Sequence, residues 1–176
     1  FSAVYSVNRA NKLSFLCEPM EKPLIQDFAY VKNAEPSDRT AYLRSQLEWD
    51  ALALNSIWSF GPSDGHPSYL QDYTIPSETD KRLLADTKAS IVAGYEWAVK
   101  EGPLTEEPII NCSFKLARAD LSDDHVHRSQ AQISACTRRG VHSSLLLATP
   151  RLMEPYYTVD ILSSQEALST IYTVLY

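Results

Sequence analysis

Residues 77–103 read SETDKRLLADTKASIVAGYEWAVKEGP, and this stretch decides the fold. Leu84, Thr87, Ile91, Tyr95 and Ala98 recur at intervals of three and four residues, which places them on one side of a helix. Ser77 is positioned to accept the first free amide hydrogens, and Asp80, three residues on, resembles the acidic member of a capping box. Lys100 suits the negative helix end, and Gly102-Pro103 stops the helix. A helix with a single apolar face needs a layer to pack on. Its flanks supply one. Tyr69–Ile75 alternates as a strand ended by Pro76. Ile109–Ala119 does the same, with Ile110, Cys112, Phe114 and Leu116 on its buried side.

Working outward, Ile133, Cys136, Gly140, Ser144 and Leu147 trace a second helical face, with Ser129 as a candidate cap and Pro150 as its end. A glycine inside a helix costs about 1 kcal/mol against alanine, so Gly140 marks a close approach to another backbone. Tyr156–Leu162 then reads as a strand and Ser164–Leu175 as a helix turning Ala167, Ile171 and Val174 inward. Towards the start, Ser2–Val7 and Lys12–Leu16 are β-favouring runs joined by the hairpin-like spacer Asn8-Arg9-Ala10-Asn11. A short helix follows at Leu24–Val31. Ser37 caps another at Asp38–Trp49, and apolar residues from Leu52 lead into Ser59-Phe60-Gly61-Pro62, a strong stop. Strands alternating with single helices predict an α+β (α/β) two-layer sandwich, its sheet covered on one face.

At 176 residues, 44% hydrophobic and 22% charged, the chain has material for one full core and part of a second domain. A net charge of −6 argues against a general nucleic-acid coat, which needs a basic face, without excluding one local basic contact. Cys17, Cys112 and Cys136 form no metal or disulfide pattern and suit a reducing setting. No apolar run is long enough to span a bilayer, so no membrane partner is expected. The chain begins at Phe1 within a strand and reads as a piece of something longer.

Between strand and second helix lies a charged loop: Asp120, Asp123 and Asp124, then His125, His127 and Arg128. Polar loops set on rigid elements are where function concentrates. Carboxylates and imidazoles both bind divalent ions, but this spacing matches no strong metal signature, and a solvated acidic loop is the simpler account. His127-Arg128 stands at a helix start, where free amides and partial positive charge suit phosphate or carboxylate, with Arg138 and Arg139 able to add to the attraction. Against this, Arg138 and Arg139 can simply pair with acids such as Asp123 and Asp124. Neither G-x-x-x-x-G-K-[ST], G-x-G-x-x-G nor G-x-S-x-G occurs, which removes the common phosphate-cradling and acyl-transfer motifs.

Several motifs carry a family resemblance when taken in order: Trp58-Ser-Phe-Gly-Pro62, the helix Lys88–Trp97, Lys100-Glu-Gly102, His127-Arg128, Gln132, Arg138-Arg139 and Pro150-Arg-Leu-Met-Glu-Pro155. From about Lys12 to Tyr176 the chain resembles the fourth domain of the elongation-factor-2 family, followed by the opening of the fifth. Pro76–Lys81, Gly102-Pro103-Leu104 and Ala148–Tyr157 look like the spliceosomal branch of that family, carried by the U5 small nuclear ribonucleoprotein, rather than the translation factor. The resemblance implies a split β-α-β fold with a left-handed crossover over residues 1–150, and the first β-α of a ferredoxin-like domain over 151–176. It implies a nuclear pre-mRNA splicing role, with GTP and magnesium held in an N-terminal domain outside this chain. It also implies three partners: the large U5 scaffold protein, a spliceosomal RNA helicase and U5 small nuclear RNA. His127, Arg128, Gln132, Arg138 and Arg139 become the residues by which the tip binds protein or RNA, with no catalytic residue among them. The family usually follows its His-Arg pair with glycines, where this chain has Ser129-Gln130-Ala131. The histidine matching His127 becomes diphthamide in the translation factor; the altered loop implies that His127 stays unmodified.

Overall fold

A computed structural model describes residues 1–155, 157 and 159–175. The order is β1 (Ser2–Tyr5), β2 (Lys12–Pro19), α1 (Lys22–Gln26), α2 (Phe28–Asn33), α3 (Pro36–Leu47), α4 (Ala51–Ser56), β3 (Ile57–Phe60), β4 (Ser68–Asp72), α5 (Lys81–Lys100), β5 (Cys112–Asp120) and α6 (Gln130–Leu147). A short 3-10 turn, Gln165–Ala167, then runs into α7 (Leu168–Leu175). The sheet is ordered β1-β2-β5-β4-β3. Neighbours are antiparallel except β4 and β5, which run parallel and are therefore joined by a crossover, here α5.

Helix α5 buries Leu84, Thr87, Ile91, Tyr95 and Ala98, the face its spacing predicts. Its cap is Asp80 rather than Ser77: the Asp80 carboxylate accepts from the Arg82 and Leu83 amides, at 2.8 and 3.3 Å. Residues 75–79 instead close a turn in which the Glu78 and Thr79 amides bond the Ile75 carbonyl, so the helix starts one turn later. Tyr95 reaches across the core and donates to Ser68 Oγ at 3.0 Å. Helix α6 packs beside α5 and over β1 and β2. The backbone approach between the two helices is at Gly94, where a Cβ would stand 2.5 Å from the Ser134 carbonyl oxygen. Gly140 is needed for a different reason than expected. Side chains crowd it, with the Phe15 ring 2.5 Å and a Val4 methyl 3.0 Å from where a Cβ would lie.

The sheet is covered on one face, as expected, and part of the other face is covered as well, at β4. Leu13, Phe15, Leu70, Phe114 and Leu116 point into the core under α5 and α6. Tyr69, adjacent to Leu70 and so on the opposite face, packs with Met20, which follows β2, and with Leu24, Phe28, Val31 and Leu43 from helices α1–α3. Other expectations are revised. The helix expected over Leu24–Val31 is two helices broken at Asp27. Ser37 caps nothing, because α3 opens at Pro36, two residues earlier than expected, with Glu35 at its N-cap. β4 ends at Asp72, whose carboxylate takes the Thr74 amide and hydroxyl at 2.9 and 2.6 Å. Ser129 stands at the α6 N-cap without a side-chain capping bond, and Leu147 is exposed while Val141 and Leu145 fill the face.

Of the strand expected over Tyr156–Leu162, Tyr156 and Thr158 lie outside the described residues, and the remainder is exposed with no strand pairing. No residue of α7 is buried, Val174 included. Helical spacing marks an apolar face but does not supply the layer that covers it.

Candidate docking tip

The tip is built where two loops meet. One joins β5 to α6 through residues 121–129; the other is the β1–β2 hairpin loop. The hairpin closes because the Ser6 amide bonds the Asn11 carbonyl and the Asn11 amide bonds Ser6 Oγ, at 2.8 and 3.0 Å, with Arg9 taking a left-handed φ of 58°. Asn11, only 1% exposed, then holds the second loop. Its Nδ2 donates to the His127 carbonyl at 2.8 Å, and its Oδ1 accepts the Ser122 amide at 3.0 Å. Asn8 adds a second donor to the same His127 carbonyl at 2.7 Å, and its backbone amide meets Gln132 Oε1 at 3.3 Å. One carbonyl oxygen thus accepts two side-chain amides.

Within the loop, the His127 and Arg128 amides bond the Asp124 carbonyl at 3.1 and 3.3 Å, and the Val126 amide bonds Asp124 Oδ1 at 2.9 Å. The two amides that were expected to meet an anion are therefore satisfied internally. Helix α6 begins two residues after Arg128. Arg128 itself faces inward, its side chain 13% exposed. It donates to the Ser122 and Asp123 carbonyls at 3.1 and 2.5 Å and reaches Asp86 of α5 at 3.4 Å. It braces the loop.

What the tip offers outward is His125, Val126 and His127, with Val7 and Arg9 from the hairpin and Asp123 and Asp124 at the side. The His125 side chain is 87% exposed and that of His127 55%, each less than 4 Å from an Asp124 oxygen. Asp120 is drawn to Arg118 at 2.9 Å. Among the described residues no three His, Cys, Asp or Glu side chains are grouped to hold a metal ion.

The five sequence-expected residues therefore divide. His127, Arg128 and Gln132 come together at the tip. Arg138 and Arg139 do not reach it, lying roughly 12 Å down the axis of α6. Arg138 stacks 4.0 Å from the Trp97 ring centroid and pairs with Glu101 at 3.2 Å; Arg139 donates to the Tyr5 carbonyl at 2.5 Å. Their partners are thus Glu101 and a strand carbonyl instead of Asp123 and Asp124. Sequence reasoning missed Asn8, Asn11 and Asp86. The sole signal was a pair of asparagines in a tight hairpin spacer, which is ordinary turn chemistry.

Fold and tip together define a class: an α+β domain that presents a hydrogen-bonded loop at one end of a helix-covered sheet. The chain belongs to the family described as Elongation factor G, domain IV, which matches residues 29–149. Over 171 residues, 96% of its length, it is 39% identical to the 110 kDa U5 small nuclear ribonucleoprotein component CLO of Arabidopsis thaliana. It is equally similar to the 109 kDa U5 small nuclear ribonucleoprotein component GFL of the same plant, and 36% identical to the pre-mRNA-splicing factor cwf10 of Schizosaccharomyces pombe. The chain spans 17 to 18% of the length of these relatives.

Proposed function

We propose that this chain is the fourth domain of a U5 small nuclear ribonucleoprotein GTPase related to elongation factor 2. Its work is docking and the transmission of conformational change during spliceosome activation and disassembly. The observation that carries the reading is the similarity along nearly the whole chain to relatives named as U5 ribonucleoprotein components. On this reading the protein is nuclear, and residues 151–176 open the next, ferredoxin-like domain. The resemblance to the elongation-factor family leads this reading to expect GTP and magnesium in a preceding domain of the parent protein; no phosphate-loop motif occurs in this chain.

The tip is the docking element. It is held by hydrogen bonds in the shape it presents, so binding forfeits little ordering entropy. Its one inward arginine is already committed to carbonyls and Asp86, and Asp123 and Asp124 flank its apex, which disfavours a phosphate backbone. Imidazoles, carboxylates, the exposed Arg9 and two exposed valines together suit a protein surface of mixed character, and the large U5 scaffold protein is the partner this reading expects. The RNA helicase and U5 RNA are the further neighbours this reading expects.

Affinity purification of the full-length parent protein, followed by sequencing of the associated RNA, tests the reading. U5 small nuclear RNA is expected. Ribosomal RNA in its place would overturn it in favour of a translation factor.

A further inference from the structure

On the flank of the molecule, away from the tip, a cleft of about 750 Å³ lies between edge strand β3, helix α2 and the C-terminal half of α5. Ala93, Glu96, Trp97 and Lys100 of α5 line it. Their spacing of three, one and three residues puts them on one helical face, opposite the buried Ile91, Gly94, Tyr95 and Ala98. From β3 come Trp58 and Phe60, and from α2 comes Lys32. Two indoles therefore border one open cleft. Trp97 keeps 46% of its surface exposed even with the Arg138 guanidinium stacked upon it.

The charges around these rings are arranged unlike those of the chain as a whole. Lys88 sits with its ammonium 5.3 Å from the Trp58 ring centroid, and Lys100 lines the cleft beside Trp97. Among the described residues neither lysine has a carboxylate partner, whereas Lys32 and Arg138 are paired to Asp64 and Glu101. The one carboxylate lining the cleft, Glu96, accepts a hydrogen bond from the Ser59 hydroxyl at 3.0 Å, which holds it against β3.

We infer that this cleft binds a short stretch of single-stranded RNA, a base stacking on Trp97 while Lys100 in the cleft and Lys88, outside it beside Trp58, meet successive parts of its phosphate backbone. Aromatic platforms with adjacent unpaired cations are the recurrent means of holding single strands without reading sequence. Duplex RNA, its bases already stacked, has nothing to place there. The inference concerns a surface separate from the tip and stands whether or not the tip engages the scaffold protein.

Tryptophan fluorescence of the chain, titrated with a ten-nucleotide oligouridylate at several salt concentrations, tests it. Saturable quenching is expected, with affinity falling at a log–log slope of about −1.4 for two phosphate contacts. Trp97→Ala should weaken binding about tenfold. Lys100→Gln, a change on an exposed side chain that leaves the fold intact, should flatten the slope by about 0.7. Val174→Ser, on the exposed side of α7, should change neither. Absence of quenching at low salt, or a Trp97→Ala chain that binds as well as the original, would overturn the proposal. So would binding of an oligoglutamate peptide in preference to the RNA, which would mark the cleft as a docking site for acidic protein segments.

Discussion

Replacing Asn11 by alanine should loosen the tip while sparing the rest of the fold. Asn11 is 1% exposed and makes three side-chain hydrogen bonds: to the His127 carbonyl at 2.8 Å, from the Ser122 amide at 3.0 Å and to Ser6 Oγ at 3.2 Å. A buried hydrogen bond contributes about 1 kcal/mol net, and a polar group left without a partner costs about 1–3 kcal/mol. The His127 carbonyl keeps Asn8 as donor, so the Ser122 amide is the group most exposed to that penalty. The expected loss is about 2–4 kcal/mol, measured by urea unfolding. Asn8→Ala should cost about 1 kcal/mol or less, since Asn8 is exposed and water can replace it. Because both asparagines serve one oxygen, the double variant should lose more than the two single losses added. Hydrogen exchange localises the effect: protection at 122–128 should fall in Asn11→Ala while that of α5 holds relative to global stability. A loss below about 0.5 kcal/mol, or unchanged protection at 122–128, would refute the clamp.

Two further outcomes test the packing. Gly94→Ala gains about 1 kcal/mol of helix propensity, but its Cβ would lie 2.5 Å from the Ser134 carbonyl oxygen and 2.8 Å from Thr137 Cβ, so α5 and α6 must part. Overpacking of this kind costs about 1–3 kcal/mol, and a net destabilisation is expected in urea unfolding; a net gain would mean the helices are not in close contact. Burial pushes the Tyr69 and Tyr95 phenols well above their ordinary value of 10.0. Below that value both states are protonated and the phenols contribute no pH dependence. Above it the unfolded chain releases protons that the folded chain retains, so stability falls as pH rises, approaching about 1.4 kcal/mol per pH unit for each tyrosine. Tyr95→Phe should show a shallower alkaline decline in chemical unfolding, and an equal slope would contradict the burial argument.

How much of this was legible beforehand differs between fold and site, for physical reasons. Helix α5 was legible because one buried face at helical spacing dominates its sequence. Its cap was misplaced because Ser77 and Asp80 are both good N-cap residues, and the choice was made by a turn folded back on Ile75. The second core was hidden in β4. Ser68, Tyr69, Leu70 and Gln71 are all buried, as befits a strand covered on both faces, but two of the four are polar, so no apolar run announces it. At the tip, His127, Arg128 and Gln132 lie within one short stretch and their grouping could be read. Asn11 lies 116 residues from His127, and only the pairing of β2 with β5 brings them together. The two arginines of α6 were misread for a related reason. Their partners, Glu101 and the Tyr5 carbonyl, come from distant segments, whereas Asp123 and Asp124 were merely near in sequence. The loss of glycine after Arg128 also became intelligible. Ser129 is extended at φ −58°, ψ 155°, and neither it nor its neighbours require a left-handed backbone, so the tip is built without the freedom glycine supplies.

The claim on which everything turns is that the braced tip meets a protein of the U5 particle. Val126, 63% exposed at the apex, is the place to ask. A photo-crosslinking amino acid installed there in the full-length parent, activated in purified U5 particles, should yield one dominant protein adduct, on the scaffold protein, that Asn11→Ala diminishes. Particles that contain the protein but give no adduct from this position, or adducts to RNA alone, would contradict the account.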